Sequence, residues 1–142
     1  MHAHLLMMLL ALASIFSCKS KPPSTGGADP ENLVIGHGGG FTGQIIEYQI
    51  FETGKVLRRN SLNNSEEEIK SIPVDSYKQI ISNYQKLGLD QLDWNEPDNM
   101  YYYIVFNQEG NTHKVVWNNN NESEVQAKLK LFFNTVLHRV KV

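Results

Sequence analysis

The apolar residues of the first half of the chain follow the two-residue period of β-strands. In residues 45–51 this alternation places Ile46, Tyr48 and Ile50 on one face of an extended segment. Residues 60–71 are polar, acidic and rich in Asn, and we expect a surface excursion there. The first half therefore predicts three short strands, at residues 33–35, 45–51 and 56–59.

An amphipathic helix is predicted after this excursion. Asp75 is placed to cap its N-terminus, and Gly88 to end it, with Leu89 making the closing hydrophobic contact. The apolar positions recur every three or four residues and form one stripe, made of Tyr77, Ile80, Ile81, Tyr84 and Leu87.

The second half repeats the pattern. Residues 101–106 predict a strand, residues 107–111 a turn, and residues 112–117 the hairpin partner. Asn121 can cap a second helix, with Glu124 three residues later. The predicted buried face of that helix is Val125, Leu129, Phe132, Phe133, Val136 and Val140.

Together these elements run in the order β-β-β-α-β-β-α. Strands followed twice by a helix, with turns of hairpin length, predict an α+β fold: an antiparallel sheet of four to five strands with two helices on one face. Residues 31–142 have the usual size of a single domain, and we expect the other face of the sheet to be open.

The N-terminal segment has the pattern of an export signal. Residues 5–16 form an apolar run of twelve residues, too short to span a hydrocarbon core of about 30 Å, and are typical of a signal-peptide core. The end of this run and the next two residues, Ile15-Phe16-Ser17-Cys18, resemble the lipobox of bacterial lipoproteins. A cleaved secretory signal with an incidental cysteine, or an uncleaved anchor, are the alternatives.

The lipobox resemblance implies that residues 1–17 are removed and that Cys18, the single cysteine of the chain, carries the lipid. Residues 18–30 then form a flexible tether rich in Pro, Gly and Ser. Lys19 follows the cysteine, and for lipoproteins of bacteria with two membranes this implies the outer membrane, facing the periplasm. The formal net charge of −2 and the absence of a basic run in residues 31–142 argue against nucleic acid as a partner.

Residues 36–43, GHGGGFTG, hold five of the ten glycines. Their G-x-G-x-x-G spacing imitates a dinucleotide-binding loop, but a strand follows where that motif requires a helix. The HGGG pattern of esterase oxyanion loops needs a G-x-S-x-G nucleophile elbow, which the chain lacks. Glycines between two strands allow positive φ angles and close backbone approach.

Two interpretations of this glycine segment stay open. In one, the segment is a wide hairpin connection with Phe41 tucked onto the core. In the other, it offers Phe41 to a protein partner. For the second we predict a binding surface in which residues 95–100 lie beside the glycine segment, made of Gly39, Gly40, Phe41, Thr42, Gly43, Trp94 and Met100.

No catalytic or metal site emerges from the sequence. The five histidines are scattered without metal-ligand spacing, and no cofactor is predicted. His113 alternates with Val115 and Trp117 and is expected on a strand face. The run Glu66-Glu67-Glu68 reads as a solvated acidic stretch. No nucleophile, base and orienting group stand in recognisable relation, so we expect a protein that is not an enzyme.

Two resemblances extend this picture. The pentapeptide Gly39-Gly40-Phe41-Thr42-Gly43 and the order of elements after it, over about residues 33–137, resemble small envelope lipoproteins of Bacteroidota-type bacteria. The pentapeptide Gly39-Gly40-Phe41-Thr42-Gly43 and the element order are also similar to the emfourin family, proteinaceous inhibitors of thermolysin-like metalloproteases. The expected function is a lipid-anchored, non-catalytic module that binds an envelope protein through its loop end or open sheet face. The emfourin resemblance implies the alternative, an inhibitor whose partner is a protease.

Overall fold

A computed structural model of the chain describes residues 30–120 and 122–141. The proposed signal peptide, Cys18 and all of the tether except Pro30 lie outside these residues, and so does Asn121. The described elements are β1 (Asn32–Gly39), β2 (Gln44–Phe51), β3 (Lys55–Asn60), β4 (Ser65–Ser71), α1 (Val74–Lys86), a short 3₁₀ helix (Leu89–Gln91), β5 (Met100–Gln108), β6 (Asn111–Trp117) and α2 (Glu124–Val140).

The strands form one antiparallel sheet in the order β4-β3-β2-β1-β5-β6, so β1 is central and pairs with both β2 and β5. This confirms the α+β class and the two helices. The predicted count of four to five strands and the predicted element order are wrong, because the sheet of the described residues has six strands and four of them precede α1.

The missing strand is β4, within the segment expected to be a surface excursion. Its side chains are mostly exposed, and Ile69 is its apolar contact with the core, so no alternation marks it in the sequence. The strand is held by pairing with β3 and by ion pairs, of which Arg58–Glu67 spans 3.0 Å and Arg59–Glu66 spans 2.5 Å. A charged edge strand also discourages pairing with other chains.

The main hydrophobic core lies between the sheet and the two helices. As predicted, Ile46, Tyr48 and Ile50 of β2 face it, and so do the four predicted apolar residues of α1 that lie within that helix. The predicted face of α2 is buried except for Val125, which is half-buried. Gln126 is fully buried instead.

Both predicted helix caps are wrong. Helix α1 starts two residues earlier than expected: Pro73 occupies the N-cap position, and Asp75 lies in the first turn. Helix α2 is capped by Ser123, whose Oγ accepts a hydrogen bond from the Gln126 backbone N–H at 3.2 Å. The end of α1 is as predicted, since Gly88 adopts the left-handed conformation and Leu89 is buried.

Candidate functional site

The glycine segment divides between the end of β1 and a tight turn. Residues 36–39 belong to β1, and residues 40–43 make the turn into β2. Gly39 has a φ of 102°, and a Cβ placed on it would collide with the Asn99 carbonyl oxygen. The Gly40 backbone N–H donates to that same carbonyl oxygen at 2.8 Å. The turn is therefore fixed against the segment that precedes β5.

Phe41 stands at the tip of this turn with its side chain in solvent. Its relative exposure is 109%, as much as in an extended reference chain. The interpretation in which Phe41 is tucked onto the core is therefore wrong. Thr42 beside it is also exposed, and its Oγ1 accepts a hydrogen bond from the Gln44 backbone N–H at 3.4 Å.

The predicted neighbourhood of the two loops is confirmed for Met100 but not for Trp94. Met100 is 46% exposed, and its Sδ lies 3.1 Å from the position of a Cβ built on Gly40. The Trp94 side chain packs instead against the helix-side core, while its backbone carbonyl accepts from the Val116 N–H at 2.9 Å. The structure thus brings Met100 to the turn and leaves Trp94 half-buried against the core.

A third exposed apolar residue at this end was missed by the sequence reasoning. Leu62, 58% exposed, lies in the β3–β4 turn, and this turn is held to β2 because the Ser61 N–H donates to the Ile45 carbonyl at 3.0 Å. We call Phe41, Leu62 and Met100 the apolar tip. Among the described residues, the two other large hydrophobic side chains with comparable exposure, Val74 and Leu131, lie on helices.

The open face of the sheet carries a small second apolar cluster formed by Val34, Tyr103 and Val116. The Tyr103 ring lies over Gly36 of the neighbouring strand, and its hydroxyl donates to Glu47 Oε1 at 2.6 Å. Burial, and after it this hydrogen bond, raises the pKa of Tyr103 above its ordinary value. The sequence signal for this arrangement is the glycine at alternate positions of β1, opposite tyrosines at alternate positions of β5.

His113 has a structural role on the helix-facing side, as its alternation with Val115 predicts. Its Nε2 lies 2.9 Å from the Leu92 carbonyl oxygen, an acceptor, so Nε2 carries the proton. Its Nδ1 must then accept from the Tyr84 hydroxyl at 2.6 Å. Both ring nitrogens are occupied, and neither is free for a ligand or for catalysis.

The acidic run is engaged with basic side chains of β3. Glu66 and Glu67 pair with arginines, and Glu68 Oε2 lies 3.6 Å from Lys55 Nζ. In residues 30–120 and 122–141, no three His, Cys, Asp or Glu side chains are grouped so that they could hold a metal ion. None of the helices described is long and apolar enough to cross a membrane.

Comparison with known proteins adds no relative. No protein-family model matches the chain, and no curated protein matches it. We therefore infer the function from the geometry of the described residues and from the N-terminal sequence pattern.

Proposed function

We propose that this protein is a non-catalytic binding module that is anchored in the cell envelope through a lipid on Cys18 and that binds a protein partner through its apolar tip. The observation that carries the proposal is the complete exposure of Phe41 on a backbone held by the Gly40–Asn99 hydrogen bond. The partner is an envelope protein, and the membrane is the outer membrane, facing the periplasm.

Burial of the tip by a partner would release a substantial free energy. Moving the fully exposed Phe41 side chain out of water is worth about 1.5–3 kcal/mol, and Met100, which is 46% exposed, adds roughly half as much. The turn is already fixed by its backbone hydrogen bonds, so a partner orders little beyond the Phe41 side chain itself. Aromatic side chains on such preorganised loops are typical anchors of protein interfaces.

The position of the tip suits a tethered protein. The chain enters the domain at Pro30 and Asn32, at the start of β1, whereas the tip lies beyond Gly39, at the other end of that strand. Eight residues of β-strand span about 26 Å. A tether that joins Cys18 to this domain would therefore leave Phe41 directed away from the attachment point, where a partner can reach it.

Site-specific crosslinking tests the binding role. A photoreactive amino acid replaces Phe41 in the full-length protein in its native envelope, and the same replacement at Leu131 is the control, because Leu131 is 63% exposed but lies on α2. We expect one discrete adduct from position 41 that position 131 does not give. No adduct, or the same adduct from both positions, contradicts the proposal.

Lipid attachment is tested separately. Metabolic labelling with a palmitate analogue should mark the wild-type protein, while the Cys18→Ala protein should be unmarked and should leave the membrane fraction. An unlabelled wild-type protein, or fractionation that Cys18→Ala does not change, would refute the anchor and leave the binding role of Phe41 to be judged by crosslinking.

A second candidate is an inhibitor of thermolysin-like metalloproteases, and one observation favours it. Phe41 projects fully into solvent from a turn that contains Gly40 and Gly43, two residues without side chains that would obstruct its insertion into a cleft. Stoichiometric inhibition of thermolysin that Phe41→Ala abolishes would establish this activity. Unchanged proteolysis at micromolar excess of the protein would remove it.

A further inference from the structure

The sheet carries a polar cavity at the end opposite the apolar tip. The cavity has a volume of about 370 Å³, which lies within the range of small-molecule sites. It opens on the helix-free face, and its floor is a row of directly paired positions that crosses four strands: Phe51, Asn32, Asn107 and Thr112. The side chains that line it, among the described residues, include no ionisable group.

The amides of this row hold one another in fixed orientations. Asn107 Nδ2 donates to Asn32 Oδ1 at 3.0 Å, and Thr112 Oγ1 donates to Asn107 Oδ1 at 2.8 Å. Asn32 Nδ2 in turn donates to the Pro30 carbonyl at 2.9 Å. Each amide still has a hydrogen or a lone pair unused, so the row presents preoriented donors and acceptors.

Gln49 adds a polar atom that the protein leaves unsatisfied. It lies in the neighbouring row, lines the same cavity, and its Oε1 is buried without a hydrogen-bond partner in the described residues. Leaving a buried acceptor unpaired is costly, and native proteins rarely do so without a reason. This oxygen is shielded from solvent as it stands, so a ligand in the cavity reaches it when the Gln49 amide rotates, and by donating a hydrogen bond the ligand removes this cost.

The chemistry of the lining selects the class of ligand. A charged ligand would lose its hydration without meeting an opposite charge, and a purely apolar ligand would leave the amides unpaired. A hydroxyl group both donates and accepts, as the amides do. Phe51 supplies an apolar surface against which the C–H face of a sugar ring can pack.

We propose that the cavity bounded by Asn32, Gln49, Phe51, Asn107 and Thr112 binds a neutral saccharide unit. This site lies at the other end of β1 from the apolar tip and does not depend on the partner that the tip binds. Saccharide and protein partner can therefore occupy the domain together.

The test uses the full-length protein in a zwitterionic detergent that contains no sugar. The probes are three neutral trisaccharides, chitotriose, maltotriose and cellotriose, with trigalacturonate as the charged comparison. Binding is followed by the NMR signals of the Asn32 and Asn107 side-chain amides. We expect at least one neutral trisaccharide to shift these signals saturably at concentrations up to about 10 mM, the range of weak single-sugar sites, and trigalacturonate to leave them unchanged.

The variant Gln49→Met separates a ligand contact from a structural role. Because it removes an unpaired buried acceptor and keeps the side-chain length, we expect it to weaken saccharide binding at least tenfold while leaving the midpoint of urea unfolding unchanged or raised. Gln91→Met, an exposed position in the 3₁₀ helix, is the matched control and should change neither.

Three results would overturn the proposal. The first is the absence of saturable shifts with all three neutral trisaccharides. The second is equal affinity of Gln49→Met and the wild-type protein. The third is a lower unfolding midpoint for Gln49→Met, which would mean that the oxygen of Gln49 is satisfied within the folded protein.

Discussion

The contact between Gly36 and Tyr103 gives the sharpest stability prediction for this fold. A Cβ at position 36 would lie 2.5 Å from Tyr103 Oη and 2.8 Å from Cε2, against an optimal separation of about 3.5–4.0 Å between carbon atoms. Gly36→Ala must therefore displace the tyrosine ring, which is buried in the wild-type protein and hydrogen-bonded to Glu47.

The cost follows from what the ring loses. A hydrogen bond to a charged group contributes about 1.5–3 kcal/mol to stability, and burial of an aromatic ring contributes a similar amount. Partial exposure of the ring loses part of that second contribution. Glu47 is only half-buried and regains hydration when the bond breaks, so the loss from the hydrogen bond should lie at the lower end of its range. We expect Gly36→Ala to lower the free energy of unfolding by about 2–3 kcal/mol.

A double-mutant cycle tests whether the clash with the Tyr103 ring causes the destabilisation by Gly36→Ala. In a Tyr103→Val background no ring lies over position 36, and Gly36 does not have a positive φ. Gly36→Ala should then raise stability by about 0.5–1 kcal/mol through the unfolded state, so the sign of its effect reverses. The assay is urea unfolding followed by far-ultraviolet circular dichroism.

Gly38→Ala is the matched control for this cycle. Its Cβ would lie 2.9 Å from Tyr101 Oη, so its penalty should be smaller and should persist in the Tyr103→Val background. If Gly36→Ala changes stability by the same amount with and without the ring of Tyr103, the steric account is refuted.

Three further predictions concern the helix side. Ser123→Ala should lower the free energy of unfolding by about 1 kcal/mol, because Ser123 caps α2. Asp75→Ala should lower it clearly less, because Asp75 lies within the first turn of α1 and is not the cap. Equal urea unfolding midpoints for the two variants would contradict this prediction. Gln126→Met should raise the unfolding midpoint, because both polar atoms of this fully buried side chain lack a partner in the described residues, and a lowered midpoint would refute it. Burial, and after it the positive charge of Lys141, lowers the pKa of His37 below 6.5. The unfolded chain therefore binds more protons than the folded one, and the free energy of unfolding should fall as the pH drops below about 6.5. His37→Gln should reduce this pH dependence when unfolding is measured over a range of pH values.

The sequence predicted the helices and hairpins because their apolar residues repeat with the period of the element that buries them. The same logic failed for β4, whose stability comes from backbone pairing and ion pairs with β3 rather than from an alternating apolar face. Leu62 was missed for the same reason, since the segment that contains it was interpreted as a polar excursion.

The predictions of the helix caps were wrong for a different reason. Near the start of α2 several residues could accept a hydrogen bond from a backbone N–H, and the sequence does not show which one the chain path selects. At α1 the N-cap is Pro73, and no side chain accepts a capping hydrogen bond. In α2 the cap is Ser123, and the helix begins at Glu124, the residue that the predicted capping box placed in its first turn. Trp94 was misplaced likewise, because an aromatic residue in a loop can face either the core or the solvent.

The open face of the sheet and the apolar tip were both possible binding surfaces, and their packing distinguishes them. On the open face, Tyr103 covers Gly36 and is itself buried, and Lys114 Nζ lies 5.5 Å above the centre of its ring. Arg59 on the same face is paired with Glu66. This face thus covers its own apolar side chains and needs no second layer, whereas nothing in the described residues covers Phe41. A partner gains more free energy by burying the tip, which is why we assign protein binding there.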